Sequence, residues 1–453
     1  MKKVTNKQPL HVRFSTVQLI TMSFLLVVLI GTCLLSLPIA TVSGKSSGLD
    51  ALFVATSCVC VTGLTTVNTA AHWSLFGKIV MMCLIEIGGM SFMLMTLILA
   101  MVTRKKINLH TRLILKDSLN LGNQGGVLKL GLYVVKFSFT VQLIGAILLF
   151  KAFYPKFGLQ KGLFYSIFHA VSAFCNAGFD LFGNSLEGFQ TQPYVLMVIS
   201  LLIISGGIGF VVWRDLFQWF YDRRLMLHTR LSLIVTLSLL VGGFAVFLLL
   251  EGNLSAYKDS LTPFQRVVNT FFLAVTPRTA GFNSIPYTEL SQASLLITMG
   301  LMFIGGNSGS TAGGLKTSTL GVLILHAWST IQGKEATVFH ERTISRQIVL
   351  RAFALFFLCT FMAIFAIEIL TITETIPTGY GIEYIAFEVF SAFGTVGVTL
   401  GLTPHLTLLG KIVIMLLMFI GRVGVYTFLL SIAKKQRAKE SLIRFPEEHI
   451  MIG

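Results

Sequence analysis

Long apolar runs alternate along this chain with short polar punctuation. "LITMSFLLVVLIGTCLLSL" (19–37), "YVLMVISLLIISGGIGFVV" (194–212) and "LSLIVTLSLLVGGFAVFLLL" (231–250) are of the kind that crosses a bilayer as a helix. Four shorter apolar segments of about a dozen residues lie among them: "GLDALFVATSCV", "GLFYSIFHAVSAF", "FQRVVNTFFLAV" and "IEYIAFEVFSAF". They are too short to span and predict re-entrant half-helices.

Each half-helix runs into a polar stretch that holds one glycine in register. These are Cys60-Val61-Thr62-Gly63, Cys175-Asn176-Ala177-Gly178, Arg278-Thr279-Ala280-Gly281 and Gly394-Thr395-Val396-Gly397, with the glycines 115, 103 and 116 residues apart. A full span precedes each half-helix, at about 15–40, 130–154, 229–252 and 347–370. A second span follows, interrupted at Gly88-Gly89, Gly206-Gly207, Gly305-Gly306 and Gly421-Arg422. "GKIVMMCLIEIGG" (77–89) and "GKIVIMLLMFIGR" (410–422) are nearly the same line written twice.

The unit is therefore span, half-helix, polar loop, span, four times over. This predicts an all-α polytopic membrane protein of four parallel span–pore helix–span repeats. Eight transmembrane helices and four re-entrant pore helices would surround a central pore. The divisions fall at 1–102 (repeat 1), 103–129 (a cytoplasmic link), 130–221 (repeat 2), 222–333 (repeat 3), 334–433 (repeat 4) and 434–453 (a cytoplasmic C-terminal tail). Parallel repeats differ from the inverted-repeat transporter plan.

Composition agrees. Residues are 54% hydrophobic and 12% charged, about half the charge of a soluble domain. The net charge of +16 need not imply nucleic acid. With the termini and inter-repeat links on one side, 22 of the 35 Lys and Arg lie there, 8 lie on the other and 5 at membrane depth. The positive-inside rule then makes this a multi-pass protein of the cell membrane, in contact with lipid, with both termini cytoplasmic. Lys2, Lys3, Lys7 and Arg13 before the first apolar run resemble a signal peptide, but no clear cleavage box follows, so a retained first helix is expected. Cys33, Cys58, Cys60, Cys83, Cys175 and Cys359 lie in or beside apolar segments without metal-ligand spacing and read as core packing.

Non-helical backbone at membrane depth is tolerated only where it is buried in protein or lines water. Four such loops converging on one axis would present rings of backbone carbonyls that replace an ion's hydration shell. Glycine admits close approach and unusual φ/ψ there, and the half-helices would aim their negative ends at a cation. Packing turns between helices are the plainer account of any single loop; four in register favour the filter.

The span–pore–span plan with "CVTGL", "CNAGF", "RTAGF" and "GTVGV" resembles the Trk/Ktr/HKT superfamily of K+ and Na+ transporters over nearly the whole chain, most of all the Ktr-type membrane subunit. The resemblance implies bacterial K+ uptake, a homodimer with one pore per protomer, and a cytoplasmic ring of nucleotide-binding regulatory (RCK) subunits. An intact Gly63, where family members that prefer Na+ carry Ser, implies K+ as the transported ion. Whether Na+ is a coupling or activating ion stays open.

Other residues carry expectations. "IGGNSGSTAGGLKTS" (304–318) collapses helix propensity and predicts an intramembrane gate from Gly305, Gly306, Asn307, Ser308, Gly309, Ser310, Thr311, Ala312, Gly313, Gly314 and Lys316; a packed hinge is the alternative. Arg422 either lines the inner cavity near that gate or forms a structural pair with Glu86 or Glu388. Asp180 is expected at the outer mouth, attracting cations, or as a solvated loop charge. Arg278 is expected to point away from the pore. His169 and Glu388 read as packing or helix-orienting groups. The basic link and the tail's "HIMIG" are candidate contacts for the regulator. A lipid-directed enzyme would need convergent acids or a nucleophile with its base, and neither HExxH nor a P-loop pattern occurs. Na+/K+ transport by alternating access is the remaining alternative.

Overall fold

A computed structural model describes residues 16–45, 47–90, 127–251 and 261–432. The candidate regulator contacts in the tail 434–453 and in residues 103–126 of the link lie outside them. The fold is mostly helical. Helix α1 is Thr16–Leu35 and α2 is Gly48–Cys60, with α3 at Leu75–Gly89. Helix α4, Val127–Phe174, breaks at Gly158, where φ 76° and ψ −176° are not helical. Glycine meets that geometry without a Cβ clash, so span and half-helix join through one residue and no loop is needed. Helices α5 (Pro193–Gly207), α6 (Phe210–Asp222), α7 (Leu227–Leu250) and α8 (Pro263–Val275) follow. The rest are α9 (Gln292–Phe303), α10 (Thr317–Ile331), α11 (Arg346–Thr373), α12 (Glu383–Gly394), α13 (Leu408–Val423) and α14 (Val425–Ile432).

Among the described residues four helices are long and apolar enough to cross a membrane: α1, the long α4 with its break at Gly158, α7 and α11. The pair α5 and α6 would make a fifth if counted as one crossing, but it bends by 93°. The sequence predicts eight spans, four of them interrupted by glycine breaks, and among the described residues four helices have the length and apolarity to cross. The second helix of each repeat is short or interrupted: α3 has 15 residues, the loop 304–316 separates α9 from α10, and Gly424 (φ 92°) separates α13 from α14. Fifteen residues of helix reach only about 22 Å. The all-α expectation also misses a two-stranded hairpin, β1 (Val338–Phe339) with β2 (Arg342–Thr343). His340 and Glu341 both take positive φ in its turn, as a tight hairpin requires.

Three clusters of buried side chains form the core among the described residues, the smallest of them around Leu231, Val322 and Val349. One joins α1 to α5, with Phe153, Phe168 and Phe174 fully enclosed. Another joins α7 to α13 around Phe387 and Phe393, and takes in Phe53 and Cys60 of α2. The outward faces of the long helices stay apolar and uncovered, with Leu25, Leu29, Leu237 and Phe361 exposed. In a bilayer such faces meet lipid.

Candidate functional site

The polar stretches begin where the half-helices end. At the ends of α2, α4 and α12 the chain closes with one hydrogen-bond pattern. Thr62 N donates to Ser57 O (2.8 Å), Ala177 N to Ser172 O (2.7 Å) and Val396 N to Ser391 O (2.8 Å). Each bond spans a residue in the left-handed region: Val61 (φ 57°), Asn176 (φ 61°) and Thr395 (φ 51°). This is a Schellman closure made without glycine. After α8 the bonding differs, with Ala280 N donating to Thr276 O (3.0 Å), yet Thr279 still takes φ 70°. A β-branched residue at positive φ is strained, and three of these four are β-branched. Strain of this kind persists only where the surroundings over-determine it.

Two residues on, Gly63, Gly178, Gly281 and Gly397 also take positive φ, and they meet in cyclic order. A methyl carbon at Gly63 would stand 2.5 Å from the carbonyl oxygen of Ala177. One at Gly178 would stand 2.9 Å from that of Ala280, and one at Gly281 2.5 Å from that of Val396. One at Gly397 would strike the carbonyl oxygen of Thr62, which closes the circle. Each glycine thus gives way to the carbonyl before the next loop's glycine. Of the sixteen residues singled out in the sequence, the four glycines and the residues before them, Thr62, Ala177, Ala280 and Val396, meet here.

Serine supports this ring at positions the sequence reading missed. Gly63 N donates to Ser57 Oγ (3.0 Å) and Gly397 N to Ser391 Oγ (3.1 Å), while Ser172 Oγ donates to Phe179 O (2.8 Å). The signal was available: serine stands six residues before the glycine in three repeats, and Val275 replaces it in the third.

The glycine breaks pack against the same loops from behind. A Cβ at Gly88, Gly206 or Gly421 would strike the carbonyl oxygen of Val59, Phe174 or Phe393, each the residue before a polar stretch. In the third repeat Gly305 faces Gly313 O instead. The loop from 304 to 316 folds back there and is heavily bonded. Asn307 Nδ2 donates to Ile208 O (2.7 Å), Thr311 N to Gly206 O (3.2 Å), Phe210 N to Gly309 O (2.9 Å) and Thr311 Oγ1 to Phe174 O (3.1 Å). Asn307 Oδ1 accepts from Thr317 Oγ1 and Thr236 Oγ1, and Ser308 and Ser318 share a hydrogen bond. Ser310 Oγ donates to Asn307 O, and Lys316 Nζ to Ala312 O (2.6 Å). A Cβ at Gly306 would press on Ala312, and one at Gly313 on Thr395 Oγ1. Gly314 takes φ 65° beside Gly394.

Arg422 donates to Thr311 O in this loop and to Gly88 O and Gly89 O in the first break. Neither Glu86 nor Glu388 is its partner. Glu86 accepts from Gln142 Nε2 (2.8 Å) and from the Cys175 thiol (3.3 Å). Glu388 accepts from Thr399 (2.6 Å) and Thr403. Arg278 reaches back to Gly305 O (3.1 Å), and its Nη1 is buried without a partner among the described residues. Asp180 Oδ1 accepts from Phe182 N (2.8 Å) and Gly183 N (2.7 Å), closing a local turn. His169 bonds Tyr165 O through Nδ1 (2.7 Å) and stacks on Phe182. Its ring holds the turn and stands apart from the glycine circle.

The arrangement offers close-set carbonyls and a basic side chain tied to the loop behind. The model of a family described as TrkH, cation transport protein, matches residues 2–442. The chain is 51% identical over 449 residues to the potassium/sodium uptake protein NtpJ of Enterococcus hirae, covering 99% of each. It is 40% identical over 442 residues to the Ktr system potassium uptake protein B of Bacillus subtilis, covering 98% of each. Among solved structures, the potassium transporter TrkH from Vibrio parahaemolyticus shares the fold, with TM-score 0.74 at 17% identity over 94% of this chain and 87% of that one. By sequence and by fold, this chain belongs to the TrkH family of cation transport proteins.

Proposed function

We propose that the chain is the K+-selective ion-translocating subunit of a bacterial K+ uptake system. The filter is the ring built from residues 60–63, 175–178, 278–281 and 394–397, and the four repeats carry one quarter each. The observation that supports this reading is the cyclic meeting of Gly63, Gly178, Gly281 and Gly397 with one another's carbonyls. Backbone oxygens so placed can replace the water around a dehydrated cation. Residues 304–316 form the gate, and Arg422 holds it against the first break. The relatives' names, potassium/sodium uptake and potassium uptake, support K+ as the transported ion; Na+ is a coupling or activating ion in this reading. In this reading the termini are cytoplasmic, two copies pair, and a nucleotide-binding regulatory ring binds from the cytoplasm.

The test is uptake of radioactive rubidium into proteoliposomes, competed by K+ and by Na+, with Gly281→Ser beside the parent. Uptake blocked by K+ and not by Na+, and relaxed in the variant, is expected. Equal competition by both ions, unchanged in the variant, would refute the filter. Silence of the parent is resolved by deleting 309–314: a pore held shut then opens, whereas a chain without a pore stays silent.

A further inference from the structure

A basic groove lies at the start of α4, away from the filter and the gate. Lys129, Leu132, Tyr133, Lys136, Phe137 and Thr140 line about 450 Å³ there. Its Phe137 packs against helix α6, meeting Trp213 at 5.5 Å and Phe217 at 6.4 Å between ring centroids. Lys129 and Lys136 are exposed, stand seven residues apart on one face, and have no acidic partner among the described residues. Arg214 of the neighbouring α6 is exposed and likewise has no acidic partner among the described residues. The Tyr133 hydroxyl is buried and bonds to nothing among the described residues. From this cluster an exposed apolar track runs up α4 through Phe139, Leu143 and Ile147.

We propose that this groove binds one anionic phospholipid of the inner leaflet. Its phosphate sits among Lys129, Lys136 and Arg214 and accepts a hydrogen bond from Tyr133. One acyl chain lies along Phe139, Leu143 and Ile147. The depth is right: two lysines about 10 Å apart along the first two turns of a span can reach the headgroup level. The charge excludes the nearest piece of this chain as occupant. The segment before α4 carries Arg104, Lys105, Lys106, Arg112 and Lys116 against Asp117 alone, so it adds to the positive field. Basic pockets between helices on the cytoplasmic side suit anionic headgroups. The proposal rests on reading this end of α4 as cytoplasmic, but not on K+ conduction.

Native mass spectrometry of the full chain, released from detergent with phosphatidylglycerol or with phosphatidylcholine, reads it directly. The parent should retain phosphatidylglycerol over phosphatidylcholine. Retention should fall about fivefold for each lysine lost in Lys129→Gln and Lys136→Gln, and Lys136→Arg should restore it. Tyr133→Phe removes one atom and keeps the fold, and it should lower retention in the same sense. Equal retention of both lipids by the parent, or retention unchanged in Lys129→Gln/Lys136→Gln and Tyr133→Phe, would overturn the proposal. So would displacement of phosphatidylglycerol by millimolar inorganic phosphate, which would give the groove to a soluble anion. The assay reads binding alone, so its failure leaves the transport reading intact.

Discussion

Arg422 donates from its guanidinium to the carbonyl oxygen of Thr311, 111 residues earlier in the chain. Its other nitrogen bonds Gly88 O and Gly89 O. One side chain thus ties the loop of the third repeat to the break of the first. Hydrogen bonds to charged groups contribute about 1.5–3 kcal/mol each. Replacing Arg422 by Gln should therefore release the loop and raise rubidium uptake about tenfold or more, while the protein still assembles. A folded variant with the parent's uptake would show that the tie does not restrain the loop.

Gly206 lies under the carbonyl of Phe174, with no room for a methyl group. Gly206→Ala should cost about 1–3 kcal/mol through overpacking, seen as a lower thermal midpoint in detergent. Gly242→Ala is the control, because a Cβ there meets open space. Equal midpoints for the two variants would mean that the breaks are not packed as described.

Ser57 Oγ accepts the amide of Gly63. In Ser57→Ala that partly buried donor loses its partner, at about 1 kcal/mol. The first loop should loosen, and Na+ should compete better against rubidium uptake. Selectivity identical to the parent would make the serine a bystander.

Arg278 joins the third polar stretch to Gly305 O, the entry to the loop behind it. Lysine keeps the charge and loses the planar fork. Arg278→Lys should lower thermal stability by about 1–3 kcal/mol and shift uptake in the same sense as Arg422→Gln. A stable variant with ordinary uptake would separate the two loops mechanically.

Asp50, at the start of α2, pairs with Lys411 of α13 at 3.1 Å, and both side chains keep some solvent. Thr66 also donates to Asp50 (2.8 Å). Partly exposed pairs contribute little, so Asp50→Asn should cost at most about 1 kcal/mol and leave selectivity alone. A loss of several kcal/mol would assign the pair a larger part in holding the first half-helix.

Much of the fold was legible from local pattern. Half-helices and the glycines that follow them stood out because membrane burial and backbone freedom act on neighbouring residues. The continuity of the chain through Gly158 was not legible, because a single-residue turn looks like any other glycine between apolar runs. Nor was the partner of Arg422: a cation at membrane depth needs acceptors, and carboxylates were the obvious candidates. Backbone carbonyls freed by broken helices served instead, and sequence does not mark which carbonyls are free.

The support of the loops was half hidden for the same reason. Ser57, Ser172 and Ser391 repeat in the sequence, yet serine is common and its use depends on the closure each half-helix adopts. Spacing and apolar length alone mark four similar polar stretches, their glycines and several long apolar helices, because those follow from interactions along the chain. The meeting of Gly63 with Ala177, Gly178 with Ala280, Gly281 with Val396 and Gly397 with Thr62 came only from packing. It depends on contacts between loops a hundred or more residues apart, and no local rule constrains those.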